Sequence, residues 1–211
     1  MSPALPVALS CGEPAGVGPE LALRAWEALR DRVPFFLIGD AGHLGQGAPH
    51  VRIADPGEAP AAMARGLPVL HRDFGPPVTP GQPQAAHAQP VIDAIAEGVA
   101  LVMAGRARAL CTAPIHKQAL AEGAGFAYPG HTEYLAALAG VRRVVMMLAS
   151  DALRVVAQAA VADGDGGVRR SHHRSRCGPT GHVHDASRRR LPGGSRGPRR
   201  ARATPRRRWR G

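Results

Sequence analysis

Val7-Ala8-Leu9-Ser10-Cys11-Gly12-Glu13-Pro14-Ala15-Gly16-Val17-Gly18-Pro19-Glu20 is the stretch whose reading decides the fold. Its apolar start predicts a buried strand over residues 5–10. Three glycines and two prolines then predict a tight connection. Pro19 suits the first turn of a helix, where its missing N–H costs nothing. Leu21, Leu23, Trp26 and Leu29 carry a roughly helical apolar stripe to about Arg30. Phe35-Phe36-Leu37-Ile38-Gly39-Asp40 reads as a second buried strand closed by a Gly-Asp turn. Strand, helix and strand in that order predict a parallel sheet with a right-handed crossover, hence an α/β fold.

Outward from this unit, residues 41–90 are rich in Ala, Pro and Gly and predict short strands at Val51-Arg52-Ile53 and Leu67-Pro68-Val69-Leu70. Val91 to Met103 predicts a helix with Ile92, Ile95, Val99 and Val102 on one face. Ala109 to Thr112 predicts a central strand ended by Ala113-Pro114, with a short helix from about Lys117. Gly130-His131-Thr132-Glu133 predicts a further helix start, with Thr132 or a neighbour as N-cap. Val144 to Leu148 is a continuous apolar run, the pattern of a strand buried on both faces. Leu153 to Val156 is expected to pair beside it. The chain shows no internal repeat.

Composition divides the chain. Residues 162–211 hold fifteen arginines, three aspartates and no lysine or glutamate, whereas the first 161 residues carry 12 basic and 13 acidic groups. The basicity therefore belongs to the tail and does not mark the body as a nucleic-acid binder. Two units are expected: 1–161, a partial α/β domain, and 162–211, a tail without apolar periodicity and so disordered on its own. Three scattered cysteines show no metal or disulfide spacing. With no signal-peptide pattern and no long apolar run, a cytoplasmic setting without membrane insertion is expected. In the tail, His172, His173, Cys177, His182 and His184 fit no zinc spacing. The tail arginines bind polyanions non-specifically, and Trp209 alone offers no stacking platform.

Three segments carry chemistry. Backbone N–H groups in the Gly12, Glu13, Gly16 and Gly18 loop at a helix start can hold a phosphate or carboxylate. The glycine spacing is neither that of a dinucleotide fingerprint nor that of a Walker loop, and a tight turn alone also explains it. Thr112-Ala113-Pro114-Ile115-His116-Lys117 ends a strand, where open α/β sheets place ligands. Lys117 is the only lysine of the chain. It is read either as a point charge for an anion or as a surface residue at a helix start. His131 and Thr132, at another helix start, offer an anion contact or a proton relay, or simply a capping box.

These segments, in this order, resemble the NAD-dependent 4-hydroxythreonine-4-phosphate dehydrogenase family of pyridoxal phosphate biosynthesis. Gly12 to Glu20 is similar to its G-[DE]-P-A-G-[IV]-G-P-[DE], Thr112 to Lys117 to its T-[AG]-P-[IV]-[NH]-K, and Gly130 to Tyr134 to its G-H-T-E-[FY]. Val144 to Ala149 and Leu153 to Val155 resemble its V-V-M-M-L-A and L-R-V. The resemblance implies a three-layer α/β/α fold like that of the isocitrate and isopropylmalate dehydrogenases, and a homodimer. It implies oxidation of the secondary alcohol of a phosphorylated amino-acid substrate by NAD, with decarboxylation, assisted by a divalent metal (Zn, Mg or Co). His131, Thr132 and Lys117 would meet substrate, and the glycine loop would line the cleft.

After Leu153-Arg154-Val155 the resemblance stops. The family continues with T-T-H, N-P-H-A-G-E and H-D-Q-G segments that supply metal histidines and NAD contacts. Here Ala157-Gln158-Ala159-Ala160 stands where T-T-H would begin, so no metal ligand is carried over. A reading-frame shift near residue 157 is one explanation of the break. If arginine is written CGN, its codons read one base out yield Val, Ala, Gly or Asp, so Arg206-Arg207-Arg208-Trp209-Arg210 would become a small or apolar run, although T-T-H is not recovered this way. The leading expectation is thus a truncated, inactive fragment of that dehydrogenase. The alternatives are a basic polyanion-binding protein on an inactive α/β scaffold and a small-anion binding module.

Overall fold

The computed structural model describes residues 5–141 and 144–157. In chain order it forms β1 (Val7–Ser10), α1 (Gly18–Leu29), β2 (Phe35–Gly39), β3 (His50–Ile53), α2 (Ala59–Ala62), β4 (Leu67–His71), α3 (Ala88–Met103), β5 (Ala109–Thr112), α4 (Lys117–Ala124), α5 (His131–Leu138), β6 (Met146–Ala149) and β7 (Arg154–Ala157). The first five strands make one parallel sheet in the order β3-β4-β2-β1-β5. Val7 of β1 pairs with Phe35 of β2 on one side and Ala109 of β5 on the other. The βαβ opening is therefore present as the first stretch predicts.

β2 lies at the centre of the sheet and is buried at all five positions. Only a strand covered on both faces can be so. Phe36, Leu37, Ile38, Leu67 and Val69 from the sheet meet Ala22 and Trp26 of α1 and Val91, Ile95 and Leu101 of α3 in one core. Trp26 adds a polar tie: its indole Nε1 donates to the carbonyl of Met63, 2.8 Å away, just after α2. Trp26→Phe keeps most of the apolar area and removes this bond. It is expected to lower stability by about 1 kcal/mol, readable as a shift in a urea melt.

The structure corrects four expectations. Among the described residues β5 lies at the edge of the sheet rather than at its centre: β1 flanks it on one side and no described strand flanks the other. α3 begins three residues earlier, at Ala88, and buries Val91, Ala94, Ile95, Gly98 and Leu101. Small residues, Ala94 and Gly98, thus take the tightest positions, while Ile92, Val99 and Val102 sit at the margin. α5 is capped by Gly130 with no side-chain bond, so Thr132 lies inside the first turn. β6 is exposed at every position. Among the described residues it pairs only with β7, antiparallel, as the expected neighbour. A continuous apolar run predicts two covering layers, and among the described residues nothing supplies them.

No helix among the described residues is long and apolar enough to cross a membrane. The tail, residues 162–211, and its expected disorder lie outside the described residues.

Candidate functional site

The site is built where β1 and β5 end. Gly12 leaves β1 at φ 67°, in the left-handed region, and a Cβ there would lie 2.4 Å from the Pro114 carbonyl oxygen. The next residue donates its N–H to that same oxygen, 2.9 Å from Glu13 N to Pro114 O. Glycine is required here because one backbone rests on another. Gly18 is as confined, since its Cβ would meet the Cys11 carbonyl oxygen at 2.0 Å. Buried Glu13 bends back, its Oε1 accepting from Ala15 N at 3.0 Å. The glycine loop and the Thr112–Lys117 segment are therefore one joined unit.

One flank of the loop opens on a cavity of about 650 Å³, walled by Pro14, Gly16, Pro19, Glu20 and Leu23 and faced by Asp40, His43, Pro77 and Val78. Asp40 sits at the end of β2 and accepts from Gly42 N at 2.8 Å and Phe74 N at 3.1 Å. Burial pushes its pKa up, but those two N–H groups, with His43 and His71, outweigh it and hold the carboxyl below its ordinary range. His43 packs edge-on against Phe74 and tilted against buried His87, and burial lowers its pKa. Asp40 and His43 were not singled out in the sequence. The only signal was the Gly39-Asp40 turn at a strand end, the position from which α/β sheets address ligands.

The other flank carries Lys117 and His131. His116 caps α4, its Nδ1 accepting from Ala119 N at 3.1 Å, and Lys117 is the first residue of that helix. A cation there faces the positive end of the helix dipole, a placement that costs about 0.3–1 kcal/mol. Among the described residues no carboxylate lies within ion-pair distance of it. Its Nζ reaches toward the start of α5: a Cβ on Gly130 would be 3.7 Å away. His131 is the first residue of α5, and its Nε2 is buried without a hydrogen-bond partner. Burial, then the Lys117 charge, lowers its pKa. Thr132 follows, half-buried. Tyr134 fixes this helix: its ring packs with Phe126 and Tyr128, and its hydroxyl donates to the Ile92 carbonyl at 3.4 Å. Two helix starts, an ammonium without an ion-pair partner among the described residues and one unpartnered imidazole nitrogen gather here, with the Glu133 carboxylate also 3.6 Å from that Gly130 Cβ position; helix starts favour anions.

The depressed histidines give a pH prediction. The ordinary histidine value is 6.5. As pH falls through it, the unfolded chain takes up protons that folded His43 and His131 refuse. Stability therefore declines from that pH downward until the folded values are passed, and neither group contributes above it. His131→Gln is expected to flatten part of that decline, measured as the urea midpoint between about pH 5 and 8.

Residues 32–160 match the family described as Pyridoxal phosphate biosynthetic protein PdxA. The chain belongs to that family. The matched range contains the Thr112–Lys117 and Gly130–Tyr134 segments and both strands of the β6–β7 hairpin, while the glycine loop precedes it. Among PdxA relatives, the 4-hydroxythreonine-4-phosphate dehydrogenase of Roseobacter denitrificans is 58% identical over 158 residues, covering 74% of this chain and 48% of the relative. That of Caulobacter vibrioides is 44% identical over 159 residues, 71% and 47%. The solved dehydrogenase of Klebsiella pneumoniae superposes with a TM-score of 0.65 at 30% identity, covering 72% of this chain and 50% of that one. The Burkholderia phymatum enzyme gives 0.64 at 34%, covering 72% and 49%. This PdxA chain thus spans about half the length of the relatives it matches.

Proposed function

We propose that the Lys117–His131 corner is the phosphate or carboxylate end of a cleft for 4-hydroxythreonine-4-phosphate, in a protein of the NAD-dependent, metal-assisted dehydrogenase type. The observation that carries this reading is Lys117, a cation at a helix start with no carboxylate within ion-pair distance among the described residues. Its charge acts on the His131 imidazole, whose buried Nε2 lacks a hydrogen-bond partner among the described residues. A bound anion satisfies both and offsets the unfavourable dipole. Thr132 adds a hydroxyl on the same turn. Neutral His131 can donate or accept one hydrogen bond at Nε2, according to tautomer, and so orient the ligand.

NAD, if bound, supplies a hydride acceptor. The cavity beside the glycine loop has the size of a small-molecule site and apolar walls with few polar groups. Gly16, Asp40 and His43 would face the cofactor there. The metal fits less well: no three His, Cys, Asp or Glu among the described residues come together as a ligand set.

Calorimetry tests the reading. Injection of 4-phosphohydroxy-threonine into the full chain is expected to give saturable heat, and Lys117→Ala to weaken it by roughly tenfold to a hundredfold, the worth of one charge-assisted bond. Equal heats from the unphosphorylated amino acid would remove the phosphate assignment.

We further propose that the chain does not complete the reaction and that a frame shift near residue 157 separates its two units, 1–161 and 162–211. The end of the family match at residue 160 and the rise of arginine just after it support this. Translation of the underlying nucleotides in three frames checks it: a second-half family sequence out of frame is the expected result. The exposed apolar faces of β6 and β7 support self-association into the homodimer. The polyanion-binding alternative rests on the fifteen tail arginines. Filter binding to duplex DNA over a salt series would favour it only if some sequence or structure were preferred.

A further inference from the structure

We propose that residues 73–84 form a strap over the cavity beside the glycine loop, and that the strap opens when His43 at its root takes up a proton. The inference rests on the cavity and its walls, and is independent of what that cavity or the Lys117–His131 corner binds. The segment leaves β4 at Arg72, whose N–H donates to the Gly39 carbonyl at 3.0 Å, and returns to the body at His87, just before α3. Between these ends Phe74 alone is buried. Pro76, Pro77, Pro80 and Pro83 deny the segment a helix or a sheet ladder. Gly75, Pro77, Val78 and Pro80 nevertheless complete the wall of the cavity of about 650 Å³. A segment with so few buried contacts opens locally at low cost.

The contacts that hold it shut gather around two imidazoles. The Phe74 N–H donates to Asp40 Oδ2 at 3.1 Å, and the Gly81 N–H to the Ala15 carbonyl at 2.7 Å. The Phe74 ring stands edge-on to His43, with centroids 5.7 Å apart, and His87 lies 5.3 Å from His43 on its other contact. His87 Nε2 donates to the Pro76 carbonyl at 2.8 Å, and its buried Nδ1 has no partner among the described residues. The charged and titratable groups facing His43 are Asp40 at the end of β2, Asp73 of the strap and His87 at the start of α3. His71 at the end of β4 stands 3.6 Å behind Asp40, and Glu20 of α1, paired with Arg24, lines the same cavity. Burial first, with His87, lowers the His43 pKa; Asp40, the Pro76 carbonyl and Asp73 pull the other way and are outweighed. Phe74 and Pro76 belong to the strap, so opening it returns the ring to water and to its ordinary 6.5. Closure is therefore at full strength above that pH and weakens as pH falls through it.

Hydrogen exchange of the full chain tests this, read amide by amide by nuclear magnetic resonance and corrected for the chemical rate at each pH. The Phe74 and Gly81 amides are expected to open far more often than those of β2, which wait for global unfolding. From about pH 7.5 to 5.5 their opening constant is expected to rise severalfold, about tenfold being the most that one histidine can supply over that span. His43→Gln, checked for folding by circular dichroism, is expected to remove the rise. An opening constant at Phe74 and Gly81 that stays within about twofold across the span overturns the proposal. So does one equal to that of the β2 amides, because the segment would then open only with the whole domain. A rise that persists in folded His43→Gln overturns it as well, and if that variant does not fold, the parent chain's two amides decide alone.

Discussion

Gly12→Val is expected to unfold the protein or come close to it. The position sits at φ 67°, where a β-branched residue pays about 1–2 kcal/mol. Its Cβ would also lie within 2.9 Å of three backbone atoms of Ala113 and Pro114. That contact is backbone on backbone and has no flexible side chain to yield, so overpacking adds a further 1–3 kcal/mol or so. The combined loss of roughly 2–5 kcal/mol reaches the low end of a typical domain's stability of about 5–15 kcal/mol. A urea melt measures it. The variant also pushes on the carbonyl that anchors Pro114, three residues before Lys117, so any folded fraction should bind anions more weakly than the parent. A mild loss below about 1 kcal/mol would mean that the β1 and β5 ends are not in contact.

Phe36→Ala is the second large effect. Phe36 is fully buried in β2, the middle strand, among Leu67, Val69 and the faces of the covering helices. Truncation removes its transfer energy and leaves a cavity, for about 3–5 kcal/mol. For a domain of this size each kcal/mol shifts Tm by roughly 2–4 °C, so differential scanning calorimetry should show a drop of many degrees. Leu9, on the adjacent strand β1 and paired with Leu37, lies beside an apolar groove and is only half-buried. Leu9→Ala should cost distinctly less, and the contrast checks where the core ends.

The parallel sheet was legible because its signals are local. Apolar runs at Val7, Phe35 and Leu67 start strands, and glycine, proline and Gly-Asp steps end them. The three chemistry-bearing segments were legible for the same reason, each being a strand end or helix start with unusual residues. That they meet was not legible. The meeting depends on Gly12 touching Pro114 across a hundred residues and on Lys117 reaching toward Gly130, and no spacing encodes either. β5 was misplaced because a short apolar strand looks alike at the centre and at the edge of a sheet. β6 was misplaced because an apolar run reports what a strand needs to be covered by, not whether the cover is present. Asp40 and His43 escaped notice because their neighbours, Phe74 and the loop at Pro77, are remote in sequence.

In the proposed site, Lys117 and His131 share one anion. The most direct measurement follows the His131 imidazole by nuclear magnetic resonance through a pH titration, with and without 4-phosphohydroxy-threonine. Free, His131 should titrate below its ordinary 6.5, held there by burial and by the Lys117 charge. With the phosphorylated ligand bound, the added negative charge should move it upward, and Lys117→Ala should shrink that shift. An imidazole that titrates identically with and without ligand would contradict the account.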